Sequence, residues 1–374
     1  MTDQTADRQS ADITHMRAAL TLAERGLGCV APNPAVGCVI VREGITVGRG
    51  WTQPGGRPHA ETEALTRAGA AAQGATAYVS LEPCAHLGQT PPCAGALITA
   101  GVARCVIAIE DPDPRVSGRG LAMLREAGVA VETGLLAAEA TALNAGFLKR
   151  ILDGRPLVTL KLATSLDGRI ATHAGESRWI TGAEARGLVH MLRHRHDAVM
   201  IGSGTALADD PELTVRLPGL EARQPLRIVV DGSLRTPLTH KLVRDAARVA
   251  TLIVTRADAD PLRAQVFLDC GVELMAAPPD ADGNLDLAAI FQALGRRGLT
   301  RVLVEGGAGL AAALLRGKLV DRLAWFRSPG LIGGDGLTAV KPFGVDRLAD
   351  QARATRLSLM RIGEDVLETL ALNA

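Results

Sequence analysis

Ile13, Met16, Leu20, Ala23 and Leu27 recur at helical spacing, and Asp12 stands where the N-cap of such a helix belongs. Pro32-Asn33-Pro34 stops that pattern. The chain then changes period into two strand-like runs, 36–41 and 45–48, read as a hairpin turning near Glu43-Gly44. A helix starting at His59 carries Leu65 and Ala68 on its apolar face. It is followed by a strand at 75–81, a cysteine-bearing loop, a helix at 94–99 and a strand at 105–109. A turn-rich stretch, Asp111-Pro112-Asp113-Pro114 and Gly118-Arg119-Gly120, reads equally as plain loop or ligand contact. A helix at 120–127, a strand at 129–132 and a helix at 137–150 complete this half. The order predicts an α/β layered sheet.

Asp153-Gly154-Arg155-Pro156 reads as a short linker, dividing the chain into domains 1–152 and 153–374. Beyond it, strands at 157–163, 198–201, 227–230, 249–254, 301–304 and 323–326 alternate with helices at 182–192, 262–270, 287–297 and 310–315. This is a second α/β domain, with no internal repeat of the first.

At 374 residues, each half can bury its own core. The net charge of +1 and an aromatic content of 2% argue against a nucleic-acid partner, which needs a basic face or stacking platforms. An anionic small substrate stays open, since a few local arginines suffice for one phosphate. No apolar run approaches a membrane span and the first twelve residues lack a signal core, so the expected location is the cytoplasm. The six cysteines do not form a disulfide framework. A homo-oligomer stays open.

Two of those cysteines belong to the one dense constellation of the chain. His59-Ala60-Glu61 is followed by Pro83-Cys84, a loop containing His86 and Gln89, and Pro92-Cys93. One imidazole and two thiols are ligands zinc (Zn2+) prefers, and they leave a fourth tetrahedral position for water. Two thiolates make such a water less acidic, so a nearby base is needed, and Glu61 is the candidate. Nucleobase deaminases use this chemistry. The bland alternative is a closed zinc staple with His86 as fourth ligand. Glu61 also meets a geometric objection, because positions two apart diverge on a regular helix. Only a metal over the open first turn reconciles it with His59, and Pro58 fits such a start. Asn33, fixed between prolines, reads as a turn residue or a substrate amide contact.

In the second half, Glu305-Gly306-Gly307-Ala308-Gly309 is strand, glycine turn, then helix, a place for a phosphate. Ile201-Gly202-Ser203-Gly204-Thr205 is a second such turn, followed by Asp209-Asp210-Pro211. Two such turns on one sheet flank a single cofactor as readily as they serve as ordinary tight turns.

Pro83-Cys84-Ala85-His86-Leu87-Gly88-Gln89-Thr90-Pro91-Pro92-Cys93 and Asn33-Pro34-Ala35-Val36-Gly37 resemble the bifunctional riboflavin-biosynthesis deaminase/reductases. So do residues 161–168, Ser177-Arg178-Trp179-Ile180 and Leu207-Ala208-Asp209-Asp210-Pro211, in the same order. The resemblance implies a cytidine-deaminase-like three-layer domain followed by a dihydrofolate-reductase-like domain that uses NADPH. It implies that 2,5-diamino-6-ribosylamino-4(3H)-pyrimidinone 5′-phosphate is deaminated and its ribosyl group then reduced to ribityl. It further implies zinc on His59, Cys84 and Cys93, with Glu61 as proton shuttle. The cofactor would meet Ala163, Trp179, Thr205, Asp209 and the run Gly307, Ala308, Gly309, Leu310, Ala311, Ala312, Ala313. The substrate would meet Ser177, Arg193, Leu213, Arg216 and Glu305. To these we add Lys161 as a cation near the ribose, and Arg235 or Arg256 for the 2′-phosphate of NADPH. Where the family often has Arg, this chain has Gln89. A guanine or tRNA deaminase fused to an unrelated reductase, a zinc-stapled binding module, and a chain with one inactive half remain alternative readings. Ammonia release from the diaminopyrimidine, against turnover of guanine or tRNA adenosine, separates them.

Overall fold

The structure, a computed structural model, describes residues 2–85 and 91–372; His86 and Gln89 lie outside the described residues. The chain divides into two compact units, Met1–Gly154 and Arg155–Ala374.

The first unit runs α1 (Thr2–Ala23), β1 (Gly37–Arg42), β2 (Ile45–Trp51), α2 (Ala60–Ala68), β3 (Thr76–Val79), α3 (Cys93–Thr99), β4 (Arg104–Ile107), α4 (Arg119–Glu126), β5 (Ala130–Thr133) and α5 (Ala137–Asp153). Its sheet has the order β2-β1-β3-β4-β5, antiparallel across the first three strands and parallel from β3 to β5. Successive side chains on a strand point to opposite faces, and the core divides accordingly. Cys38, Ile40, Val79 and Ile107 pack with Ala64, Leu97 and Leu124 of α2, α3 and α4. Val39, Val41, Tyr78 and Val106 pack with Met16 and Leu20 of α1 and Ala140 of α5. The hairpin turns at Glu43 and Gly44, both left-handed at φ 51° and 77°. Strand β2 lies against α2 so closely that a Cβ at Gly48 or Gly50 would fall 2.2 Å or 2.1 Å from the carbonyl oxygen of Ala64 or Ala60. Only glycine permits that approach, which seats the start of α2 on the sheet.

Two expectations at the N-terminus are corrected. Asp12 is not an N-cap, because α1 begins at Thr2. Its buried carboxylate instead accepts from Arg104 Nη1 at 2.8 Å, Arg104 Nη2 at 2.7 Å and the Tyr78 hydroxyl at 2.6 Å. That pairing, with burial opposing it, holds its pKa below the usual value. The helix also stops at Ala23 and passes into the short turn Glu24–Gly26, well before Pro32.

The second unit begins after Gly154, whose left-handed φ of 71° terminates α5. It contains β6 (Leu157–Thr164), β7 (Arg169–Ala171), α6 (Ala183–His194), β8 (Ala198–Gly202), α7 (Ser203–Asp209), β9 (Leu226–Val230), α8 (Lys241–Arg244) and β10 (Thr251–Arg256). These are followed by α9 (Pro261–Asp269), β11 (Glu273–Ala277), α10 (Leu287–Arg296), β12 (Arg301–Glu305), α11 (Ala308–Arg316), β13 (Arg322–Arg327), β14 (Leu337–Thr338), β15 (Ala354–Ile362) and β16 (Asp365–Leu372). Nine strands form one sheet in the order β11-β10-β9-β8-β12-β6-β13-β16-β15, parallel from β11 to β13 and antiparallel beyond. Helices cover both faces of the parallel part, so its strands read as unbroken apolar runs. Val158, Leu160, Met200 and Val304 pack with Phe291 and Leu314 on one side, Val199, Ile201 and Leu303 with Leu242 and Phe267 on the other. The ribbon β15–β16 and the strand β11 escaped the sequence pattern. Eight of the nine residues of β15 are exposed, which leaves no inward face to set a period.

Candidate active sites

In the first unit His59 is the N-cap of α2, extended at φ −71° and ψ 160°. Cys93 is the first residue of α3, and Cys84 lies on the segment leading into it. His59, Cys84 and Cys93 bring their ligand atoms within 4.8 Å of one another. His59 Nδ1 lies 3.3 Å from Cys93 Sγ and 3.7 Å from Cys84 Sγ, so this ring nitrogen faces both sulfurs. The Cys93 amide donates to Cys84 Sγ at 3.3 Å. Hydrogen bonding from Cys93 and His59 pulls the Cys84 thiol down to about 4, against burial, while the same contact and burial push Cys93 upward. Both sulfurs would give up their protons on ligating a metal.

Glu61 sits in the first turn of α2 and is only 3% exposed. Its Oε2 is buried with no hydrogen-bond partner among the described residues. Because His59 is a cap rather than a helical residue, the two side chains escape the divergence that a regular helix imposes. Burial first, opposed by His59 and reinforced by Cys84, raises its carboxyl to about 7. A buried acid with one oxygen unpaired, beside an imidazole and two thiols, fits a zinc ion with a proton carrier next to it.

Asn33 donates from Nδ2 to the Gly56 carbonyl at 2.8 Å, and the Gly55 amide donates to the Cys29 carbonyl at 2.8 Å. The proline loop is thereby tied to the turn that runs into His59. Glu82, which the sequence reading passed over, is buried directly before Pro83-Cys84. Its carboxylate accepts from the amides of Asp111 (3.1 Å), Gly118 (3.0 Å), Gly120 (2.9 Å) and Leu121 (3.3 Å). In the stretch beyond, Asp111 Oδ1 accepts from the Asp113 amide and Asp113 Oδ1 from the Arg115 amide, each at 2.9 Å. These are the bonds of a self-capping loop.

In the second unit Glu305 ends β12, Lys161 and Ala163 lie near the end of β6, and Thr205 follows the end of β8; these three strands are neighbours in the sheet. Glu305 pairs in register with Lys161, and Ala163 with Phe326. Arg193 reaches from α6 to Glu305 through two bonds, Nε to Oε1 at 2.5 Å and Nη2 to Oε2 at 2.8 Å. Its Nη1 donates to the Thr214 carbonyl at 2.9 Å. Burial alone would raise the Glu305 carboxyl, but Arg193 and Lys161 outweigh it and hold the acid ionised. Lys161 Nζ lies 6.0 Å from the centre of the Phe326 ring, and burial draws its pKa down. Arg216, over half exposed, donates from Nη1 to Thr214 Oγ1 at 3.0 Å and to Glu212 at 2.9 Å.

The two glycine turns are adjacent. Gly306 and Gly307 are left-handed at φ 83° and 90°, and a Cβ on Gly307 would stand 3.2 Å from Thr205 Oγ1. Trp179 is 70% exposed, with Arg186 4.4 Å from its ring centre. Arg178 beside it donates to the Asp209 carbonyl at 3.0 Å, joining that loop to the end of α7. Ser177 is partly buried. Arg235 donates to Ser203 Oγ at 2.7 Å and Arg256 to Ser233 Oγ at 3.0 Å.

Part of the Gly307–Ala313 run does not face out: Ala311 and Ala312 are buried, and Ala311 lies in the core cluster with Leu314. A run of consecutive positions rotates around a helix, so only its first turn lines the glycine loop. Leu213 likewise buries its side chain among Val199 and Leu242, with its backbone left-handed at φ 55°. The Thr214 carbonyl and His190 gave no signal in the sequence, since the partners that meet there, His190 and Arg193, lie 24 and 21 positions from Thr214.

Residues 9–109 match the family model of the cytidine and deoxycytidylate deaminase zinc-binding region, and residues 156–367 match the RibD C-terminal domain. The riboflavin biosynthesis protein RibD of Escherichia coli (strain K12) is 43% identical over 369 residues, covering 95% of this chain and 98% of that protein. RibD of Aquifex aeolicus is 38% identical over 356 residues, covering 95% and 97%. The solved structure of Acinetobacter baumannii RibD (form 2) superposes with a TM-score of 0.87 at 38% identity, covering 98% of this chain and all of that one. A Thermotoga maritima structure titled as a diaminohydroxyphosphoribosylaminopyrimidine deaminase/5-amino-6-(5-phosphoribosylamino)uracil reductase gives 0.86 at 32% identity, with 98% and 100% covered. The first unit has the cytidine-deaminase-like fold and the second the dihydrofolate-reductase-like reductase fold, served by zinc and NADPH respectively. With nearly its whole length matched by these relatives, the chain belongs to the RibD family, the bifunctional deaminase/reductases of riboflavin biosynthesis.

Proposed function

We propose that residues 1–152 deaminate 2,5-diamino-6-ribosylamino-4(3H)-pyrimidinone 5′-phosphate and that residues 153–374 reduce the ribosyl group of the product to ribityl. The observation that carries the first half is the buried Glu61 carboxylate, its Oε2 without a partner among the described residues, beside the converged His59, Cys84 and Cys93. In this reading His59 Nδ1 and the two sulfurs hold zinc. Zinc there supplies a Lewis acid that makes water nucleophilic near neutral pH. Glu61, buried beside the three ligands, takes the proton of the attacking water and returns it to the departing amine. The Asn33 loop, tied to the turn before His59, would contact the substrate beside the zinc ligands.

For the second half, the adjacent glycine turns, Thr205, Asp209, Ala163, Trp179 and the first turn of α11 would hold NADPH. It supplies the hydride. Ser203 and Arg235 take its 2′-phosphate. Arg216 and Ser177 receive the substrate phosphate. Arg193 spends its donors on Glu305 and Thr214, which supports a positioning role for it: it fixes the carboxylate that orients the ribose hydroxyls, beside Lys161. The near-neutral charge and low aromatic content support a small-molecule ligand over a nucleic acid. Six free cysteines support a reducing, cytoplasmic setting. No described helix is long and apolar enough to cross a membrane.

Metal analysis tests the ligand set. The parent should hold one zinc per chain and the Cys84→Ala/Cys93→Ala protein should lose it, with NADPH-dependent reduction intact. Full zinc retention in that variant overturns the assignment.

A further inference from the structure

His190 lies one turn before Arg193 on α6, and both reach the same acceptor. His190 Nδ1 stands 3.0 Å from the Thr214 carbonyl, to which Arg193 Nη1 also donates at 2.9 Å. The hydroxyl of Thr214 receives Arg216. Thr214 therefore collects one imidazole and two guanidinium groups from two elements. A carbonyl can only accept, so the hydrogen of the imidazole sits on Nδ1. Nε2 is then a bare lone pair with no partner among the described residues.

From this geometry we infer that His190 is a further substrate-binding residue of the reductase site, contacting the substrate phosphate through Nε2 and binding one proton as it does so. The inference rests on the reading that Arg216 receives the phosphate. A phosphate dianion has no hydrogen to give, and the Nε2 lone pair has none either, so their contact requires one proton between them. Whether the imidazole or the phosphate formally owns it, complex formation takes up one proton. The groups facing His190 set the direction. Arg193 on its own helix and Arg216 on the neighbouring segment disfavour the imidazolium, while Glu305 at the end of β12 favours it. Burial, the largest influence, combines with the arginines to keep the free side chain below its usual pKa. The free site is thus neutral at pH 7, and the incoming dianion supplies the charge that draws the proton in.

The reductase step is read by NADPH oxidation in the full chain, with 5-amino-6-(5-phosphoribosylamino)uracil as substrate, between pH 6.5 and 8.5. In the parent, the Michaelis constant should climb with pH at a limiting slope of about tenfold per unit, kcat changing little. In His190→Gln it should start higher and stay flat. Gln keeps a donor for the Thr214 carbonyl, so a purely structural role would leave the pH slope in place. A slope in His190→Gln equal to the parent's overturns the inference. The dephosphorylated substrate separates this from the underlying reading. If it binds as well as the phosphorylated one and Arg216→Ala alters neither, the phosphate does not sit here at all.

Discussion

Arg193 and Glu305, 112 positions apart in the sequence, form a two-bond ion pair with side chains only 12% and 9% exposed. Removing one member leaves the other charged and stripped of water, a loss of about 3–5 kcal/mol. Glu305→Ala should lower the melting temperature of the reductase unit by roughly 10 °C. It should also depress NADPH oxidation, while ammonia release from the first unit stays within a few-fold of the parent. An unchanged melting temperature would mean that the pair is not formed.

Glu61→Gln preserves shape and hydrogen bonding but cannot carry a proton. It should keep its zinc and lose deamination by about 10²-fold or more, the usual scale for a positioned acid/base group. Metal content and ammonia release, measured on the same preparation, decide this. Activity within a few-fold of the parent removes Glu61 from the chemistry.

His196 is buried and neutral in the second unit. Its Nδ1 donates to the Leu192 carbonyl at 2.7 Å and its Nε2 accepts from the Thr159 hydroxyl at 3.0 Å. Burial, with Arg301 nearby, depresses its pKa to about 3. A histidine depressed in the folded state binds its proton more readily when unfolded. The stability it permits is complete above an unfolded pKa of about 6.5 and is lost as pH falls toward the folded value. Urea midpoints should therefore decline below pH 6.5 more steeply in the parent than in His196→Asn. Parallel curves would count against a neutral buried imidazole.

Arg216 is the exposed member of the cluster around Thr214 and the one with donors to spare for a ligand. Arg216→Ala should raise the Michaelis constant for the phosphorylated substrate by about tenfold, a loss of roughly 1.4 kcal/mol. NADPH affinity and the deaminase step should stay nearly unchanged. Loss of NADPH binding with an unaltered substrate constant would exchange the two pockets.

The zinc site was legible because its chemistry is carried by residue types at short, characteristic spacings: His59 with Glu61, and Cys84 with Cys93 between prolines. The α/β class of both units was legible for a similar reason, since buried strands such as 198–201 and 301–304 write their pattern locally, while the two particular folds came from the resemblance. The pairings between distant positions were not. Nothing near Arg193 announces Glu305, and nothing near Asp12 announces Arg104, so a buried ion-pair partner was read as a helix cap. The Gly307–Ala313 stretch reads as one uniform binding run, yet the helix turns Ala311 and Ala312 into the core. Strand β15 left no pattern because solvent lies on both of its faces.

The purified chain, given the diaminopyrimidine ribosyl phosphate with and without NADPH and followed by mass spectrometry, tests the two-step assignment most directly. Without NADPH the product should show one imino group exchanged for oxygen, with ammonia released. With NADPH the same compound should also gain two hydrogens, at the expense of NADPH. Release of no ammonia, or NADPH consumed without a matching ribityl product, would contradict it.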